Sequence, residues 1–135
     1  MSENQTEFSG LKVMVIDDSK TIRRPAETLL TKAGCNALTA DNGFEALPII
    51  STQRPDILFI DIMMPRLDGY QTCALVKNNP KFSSTPIVML SSKDGLFDRA
   101  KGRAVGAEQY LTKPFTREDL LGAIRTHLLN QTKDE

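Results

Sequence analysis

The chain has 135 residues, with 17 basic and 17 acidic side chains and a formal net charge of zero. That length suits one domain with a core of its own, and the charge balance excludes the global basic footprint of a nucleic-acid binder. Two cysteines, one histidine and no apolar run near 20 residues exclude a disulfide framework, a two-histidine metal site and a membrane span.

Residues 1–10, MSENQTEFSG, read as a flexible polar lead-in with no apolar stretch of a signal peptide. This points to a cytoplasmic protein with reduced thiols. LKVMVI at 11–16 is the first strand, followed by a helix over 20–33 that Gly34 can end. CNALT at 35–39 is a weaker strand, and 43–52 is the second helix. DILFI at 56–60 and PIVML at 86–90 are strongly apolar strands, separated by a helix over 69–78. A fourth helix spans 95–105 and ends at Gly106. AEQYL at 107–111 is the last strand. Thr116 can cap a final helix over 116–129, in which Leu120, Leu121, Ile124 and Leu128 repeat at helical spacing. Residues 130–135, NQTKDE, read as a flexible tail. Pro25 and Pro48 fall inside predicted helices, where a proline costs about 3 kcal/mol or kinks the helix. Tertiary packing is expected to carry both.

Five strands alternating with five helices predict an α/β fold, a doubly wound parallel sheet of the flavodoxin-like (βα)5 kind with strand order 2-1-3-4-5. VMVI, ILFI and IVML are nearly continuous in apolar residues, as strands covered on both faces are. CNALT and AEQYL suit the edges. Right-handed crossovers then bring all the C-terminal strand ends to one side. Asp17 and Asp18 follow the first strand, Asp61 the third, Ser91 and Ser92 the fourth, and Lys113-Pro114 the fifth.

Each of these residues has a plainer reading alone. The Asp pair can cap a helix, Asp61 can start a turn, Ser91 can be a turn residue and Lys113 a surface lysine. Their joint placement at four strand ends is what points to chemistry. Three neighbouring carboxylates repel unless one is protonated or a cation intervenes. Mg²⁺ suits a few carboxylates completed by waters. Lys113 supplies a fixed positive charge and Ser91 a hydroxyl, a set that can neutralise a phosphoryl group in transit. Asp61, central in the row, is the natural nucleophile, because a carboxylate can form an acyl phosphate.

The motifs VIDDSKTIRR, DIMMPRLDGY, IVMLSSKD and YLTKPF resemble those of response-regulator receiver domains over residues 11–129. The strings DIMMPRLDGYQTCALVKNN and MLSSKDGLFDRAKGR resemble, more narrowly, the single-domain receivers of type IV pilus twitching-motility systems, which are chemotaxis-like. The resemblance implies that Asp61 takes phosphate from a histidine kinase. It implies Mg²⁺ on Asp18, Asp61 and the Met63 backbone carbonyl, with Asp17 holding a metal-bound water. It also implies that Ser91 and Lys113 bind the phosphoryl oxygens, that Tyr110 is an aromatic switch, and that the Lys113–Pro114 bond is cis. The output face would be helix 4, strand 5 and helix 5, engaging a pilus-associated or signalling protein. With no DNA-binding segment after residue 129, that output is expected to be protein–protein contact, with no nucleic acid and no membrane insertion.

Two other classes compete. A small Mg²⁺-dependent phosphatase could use Asp61 as nucleophile, but Met63 stands where a second acid is expected and no cap insertion exists. A flavin or nucleotide binder would need backbone amides or a Gly-rich turn for phosphate, whereas the loop DDSKT is acidic and lacks glycine. Cys35 and Cys73 are expected to be half-buried and inert, and His127 to lie on the surface near a helix end.

Overall fold

The computed structural model describes residues 7–92 and 96–129. Its elements follow in strict alternation: β1 (Lys12–Ile16), α1 (Lys20–Lys32), β2 (Asn36–Ala40), α2 (Gly43–Gln53), β3 (Ile57–Asp61), α3 (Gly69–Lys77), β4 (Ile87–Ser91), α4 (Leu96–Ala104), β5 (Gln109–Thr112) and α5 (Arg117–Ile124). The five strands form one parallel sheet in the order β2-β1-β3-β4-β5. The predicted strand positions agree to within two residues.

Side chains alternate across the sheet with period two. Val13, Val15, Ile57, Phe59, Val88 and Leu90 point to one face and pack under α1 and α5 through Ala26, Leu30, Leu120 and Ile124. Met14, Ile16, Leu58, Ile60, Ile87 and Met89 point to the other and meet Ala46, Ile50, Cys73 and Val76 of α2 and α3. β3 and β4 are buried along their whole length, whereas β2 and β5 are mostly half-buried. The two weaker strands are therefore the edges, as their composition suggests.

Local chemistry ends the helices where the sequence places the stops. Gly34 and Gly106 have φ of 99° and 102°, the left-handed conformation that follows α1 and α4. Thr116 caps α5, its side chain accepting from the Asp119 N–H while the Asp119 carboxylate accepts from the Thr116 N–H. Both prolines are accommodated: α1 runs through Pro25 and α2 through Pro48.

Four expectations need correction. The final helix is α-helical only to Ile124 and continues as a π-helical turn over Arg125–Leu129. Within the expected lead-in, Phe8 is fully buried against the face covered by α1 and α5, and Glu7 pairs with Arg125 at 2.8 Å. One aromatic side chain thus anchors residues that polarity alone assigns to a loose segment. Residues 1–6 and the tail 130–135 lie outside the described residues. Cys35 and Cys73 are buried rather than half-buried, and burial pushes both thiols up to about 11. His127 is half-buried, with Nε2 2.6 Å from Gln109 Oε1, and burial lowers its pKa.

Candidate functional site

The C-terminal ends of β1, β3, β4 and β5 meet at one edge. Asp17 directly follows β1 and is fully buried. Its Oδ1 accepts from the Ser19 backbone N–H at 2.9 Å, and the Arg23 guanidinium donates to the Asp17 carbonyl at 2.6 Å. The first turn of α1 is thereby tied to the strand end. Asp18 is exposed.

Asp61 closes β3 and is 3% exposed. Lys113 follows β5, with its backbone N–H donating to the Ser91 carbonyl at 2.6 Å, which docks it on the end of β4. Its ammonium reaches back to the acids, 2.9 Å from Asp61 Oδ1 and 2.8 Å from Asp17 Oδ2. The Lys113–Pro114 peptide is cis. Ser91 is buried on β4, one residue past the register partner of Asp61.

Charge at this edge is unbalanced. Oxygens of Asp17, Asp18 and Asp61 lie within 4.8 Å of one another, and Lys113 is the lysine paired to them. Burial pushes the Asp61 carboxyl up to about 6; the Lys113 bond opposes this, the Asp17 charge reinforces it, and the Met63 backbone amide opposes it. For Lys113, burial works to lower the pKa, but the bonds to Asp17 and Asp61 outweigh it and hold the ammonium above its ordinary value.

The residues fit a hard divalent cation. The donors are all oxygen, and exposed Asp18 leaves the cluster open to water. Asp17 Oδ2 is fully buried with the Lys113 ion pair but no aligned hydrogen bond among the described residues. With Lys113 as its one partner, that oxygen keeps lone-pair capacity for a metal ion or a water.

The loop from β3 to α3 is tied back to the end of the strand that carries Asp61. Asp68 caps α3 by accepting from the Gln71 N–H at 2.8 Å, and Gln71 Oε1 accepts from the Asp68 N–H at 2.9 Å. Gly69 donates to the Ile62 carbonyl at 2.9 Å, and a Cβ there would overlap the Asp61 carbonyl oxygen. Arg66 has φ of 66°, a conformation that costs a non-glycine residue about 1 kcal/mol or more. The D-x-x-Q spacing of Asp68 and Gln71 was a legible signal for the cap; the close approach at Gly69 had none in a single sequence. Met63 is 71% exposed, at the rim of a cleft of about 410 Å³ bordered by Ile62, Asp68, Tyr70, Ser91 and Lys101. Tyr110 is half-buried on β5, with the Arg99 guanidinium 4.9 Å from its ring centre.

A buried acid, a lysine and an oxygen-only cluster at the C-terminal edge of a 2-1-3-4-5 sheet define a class, and residues 13–125 match the family described as "Response regulator receiver domain". The chain belongs to that family. It is 68% identical over 124 residues to Protein PilG of Pseudomonas aeruginosa, covering 92% of both chains. It is 41% identical over 131 residues to ycf27 of Porphyra purpurea, but spans only 51% of that protein. Among solved structures, chemotaxis protein CheY4 of Vibrio cholerae superposes with a TM-score of 0.85 at 34% identity, over 89% of this chain and 100% of that one.

Receiver domains are phosphoacceptor signalling modules that take a phosphoryl group from histidine kinases, and this is the general role of the chain. The phosphatase reading finds no support in these comparisons. No helix among the described residues is long and apolar enough to cross a membrane.

Proposed function

We propose that this receiver takes a phosphoryl group on Asp61 from the kinase of a chemotaxis-like system, in the cytoplasm, and relays it to a protein that controls type IV pilus twitching motility. The observation that carries the phosphoacceptor reading is the buried Asp61 carboxylate 2.9 Å from Lys113 Nζ, with Asp17 and Asp18 beside it. The identity to PilG supports the choice of system.

In this reading an Asp61 oxygen attacks the phosphorus, an O–P bond forms, and the P–N bond to the kinase imidazole breaks. Asp17, Asp18, Asp61 and the Met63 carbonyl would hold Mg²⁺, which supplies positive charge for the phosphoryl oxygens. Lys113 is already at the nucleophile and turns from its carboxylate partners to a phosphoryl oxygen. The Ser91 hydroxyl donates to another. Because burial works against ionised Asp61, converting it to an acyl phosphate whose oxygens Lys113 and Ser91 can reach redistributes charge within the site. That difference biases Ser91 and then Tyr110 between two arrangements, and the α4–β5–α5 face changes with them. The same groups allow self-catalysed hydrolysis of the phosphate.

Two experiments test the reading. Transfer of radiolabelled phosphate from a kinase phosphohistidine is expected for the native chain and absent for Asp61→Asn. Replacing the native gene by one encoding Asp61→Asn is expected to change the twitching zone on agar; an unchanged zone contradicts the motility assignment.

A further inference from the structure

The start of α1 breaks a local rule. Lys20, Arg23 and Arg24 open the helix, its first turn carries no acid, and the Ser19 side chain makes no capping bond. Free backbone N–H groups and the helix dipole make that end positive, so cations there are unfavourable. Departures of this kind gather at functional sites. Arg23 is half-buried, and its Nη1 donates to the Asp17 carbonyl at 2.6 Å.

That bond closes a ring beside the acid pair. Asp17 Oδ1 accepts from the Ser19 N–H at 2.9 Å, the Ser19 carbonyl accepts from the Arg23 N–H at 2.9 Å, and the Arg23 guanidinium returns to Asp17. The Asp17 N–H in turn donates to the Ala40 carbonyl on β2 at 3.1 Å. Both polar groups of the Asp17 backbone are thus fixed. The carbonyl that Arg23 holds belongs to the planar peptide leading into Asp18. Asp18 is exposed, and no hydrogen bond or ion pair among the described residues holds its carboxylate. Its direction therefore depends on that peptide. Attachment of α1 to the sheet rests on other residues, because Ala26 and Leu30 bury its inner face.

We propose that Arg23 is a positioning residue for the divalent cation: by fixing the Asp17–Asp18 peptide it aims both carboxylates at one ion before the ion arrives. It acts through Asp17 and Asp18 rather than on the ion itself. Charge and position predict opposite signs. A cation near a cation site repels the ion, so an Arg23 acting by charge alone would weaken metal binding, and its loss would strengthen it. A positioning Arg23 strengthens metal binding, and its loss weakens it. The inference deepens the proposed reading of these acids as a Mg²⁺ site and rests on it.

The test uses the full chain and Mn²⁺, an oxygen-seeking stand-in for Mg²⁺, with the free ion read by electron paramagnetic resonance. Arg23→Met, which keeps an apolar stem and removes the donor, is expected to weaken Mn²⁺ binding about tenfold. Arg24→Met removes an exposed charge from the neighbouring position and is expected to change the affinity less than about twofold. Arg23→Lys, which keeps a charged donor, is expected to recover part of the loss. Amide hydrogen exchange in chelator supplies a readout without metal. In Arg23→Met the Ser19 amide is expected to exchange about tenfold faster, while that of Leu30, further along α1, changes less than about threefold. Unchanged or tighter Mn²⁺ binding in Arg23→Met, or equal acceleration at Ser19 and Leu30, would overturn the proposal. Should Arg23→Met not fold, Arg23→Gln, shorter and uncharged, takes its place under the same criteria. Failure of the native chain to bind Mn²⁺ would count against the Mg²⁺ reading alone, since the exchange arm still decides the role of Arg23.

Discussion

At the N-terminal edge of the sheet, Lys77 and Glu108 form an ion pair, and Lys12 and Asp56 are each bonded to backbone. The Lys77 ammonium donates to Glu108, to the Thr85 carbonyl at 2.7 Å and to the Ser83 carbonyl at 3.2 Å. Asp56 accepts from the Lys12 N–H at 2.8 Å, and Lys12 Nζ donates to the Gln53 carbonyl at 2.9 Å. At the C-terminal edge, three carboxylates crowd around Lys113, and two of them are buried. The strands are the same, so the difference lies in what each edge does. One edge ties the fold together; the other carries unmatched charge that a cation and a phosphoryl group can resolve.

Substitution should separate the two edges by sign. The largest effect is expected for Asp61→Asn in chelator at pH 7. The folded carboxyl keeps its proton up to about pH 6, against 3.8 for the ordinary group, so above that pH the fold carries the cost of a buried charge. Removing the charge is expected to raise stability by about 1–3 kcal/mol in urea unfolding while abolishing phosphorylation. The same linkage fixes the pH dependence of this group in the metal-free native chain. Between about pH 4 and pH 6 the folded state binds more protons than the unfolded one, so the Asp61 contribution to stability falls as pH rises through that window and levels off above it. The pH slope lost in Asp61→Asn measures it. If Asp61→Asn is destabilised at pH 7, the contrast between the edges is wrong.

Lys77→Met should do the reverse. It leaves Glu108 and two carbonyls without their donor, and an expected cost of about 1–2 kcal/mol is read in the same unfolding experiment. Phosphate uptake should be unchanged. A loss of uptake would mean that the edges are coupled.

The smallest effect is expected at Met63. Its exposed side chain stands two residues past Asp61, at the rim of the cleft. It is proposed to crowd the water that would attack the phosphate. Met63→Asn should shorten the phosphate half-life about threefold, which corresponds to roughly 0.6 kcal/mol in the barrier. An unchanged half-life removes Met63 from that role.

The strands, the division into central and edge strands and the four converging strand ends were legible because they follow from runs of β-branched and apolar residues, each followed by a polar residue; the strand order came from the doubly wound fold type. IVML followed by Ser91 is such a run. What escaped the sequence depends on contacts between distant segments. Phe8 sits in a polar stretch, and only the face covered by α1 and α5 gives it a site. Gly69 looks like a simple helix start, yet it is held by the backbone of Asp61. The Arg23 bond to the Asp17 carbonyl and the stacking of Arg99 on Tyr110 join elements whose spacing a linear pattern does not encode.

The central claim is that the unmatched edge is a phosphoacceptor site. Intact mass after incubation with acetyl phosphate and Mg²⁺ tests it most directly, with chelator and Asp61→Asn as controls. The account predicts a gain of about 80 Da, one phosphoryl group, in the native chain alone. A gain that survives in Asp61→Asn, or no gain with either acetyl phosphate or a phosphorylated kinase, would contradict it.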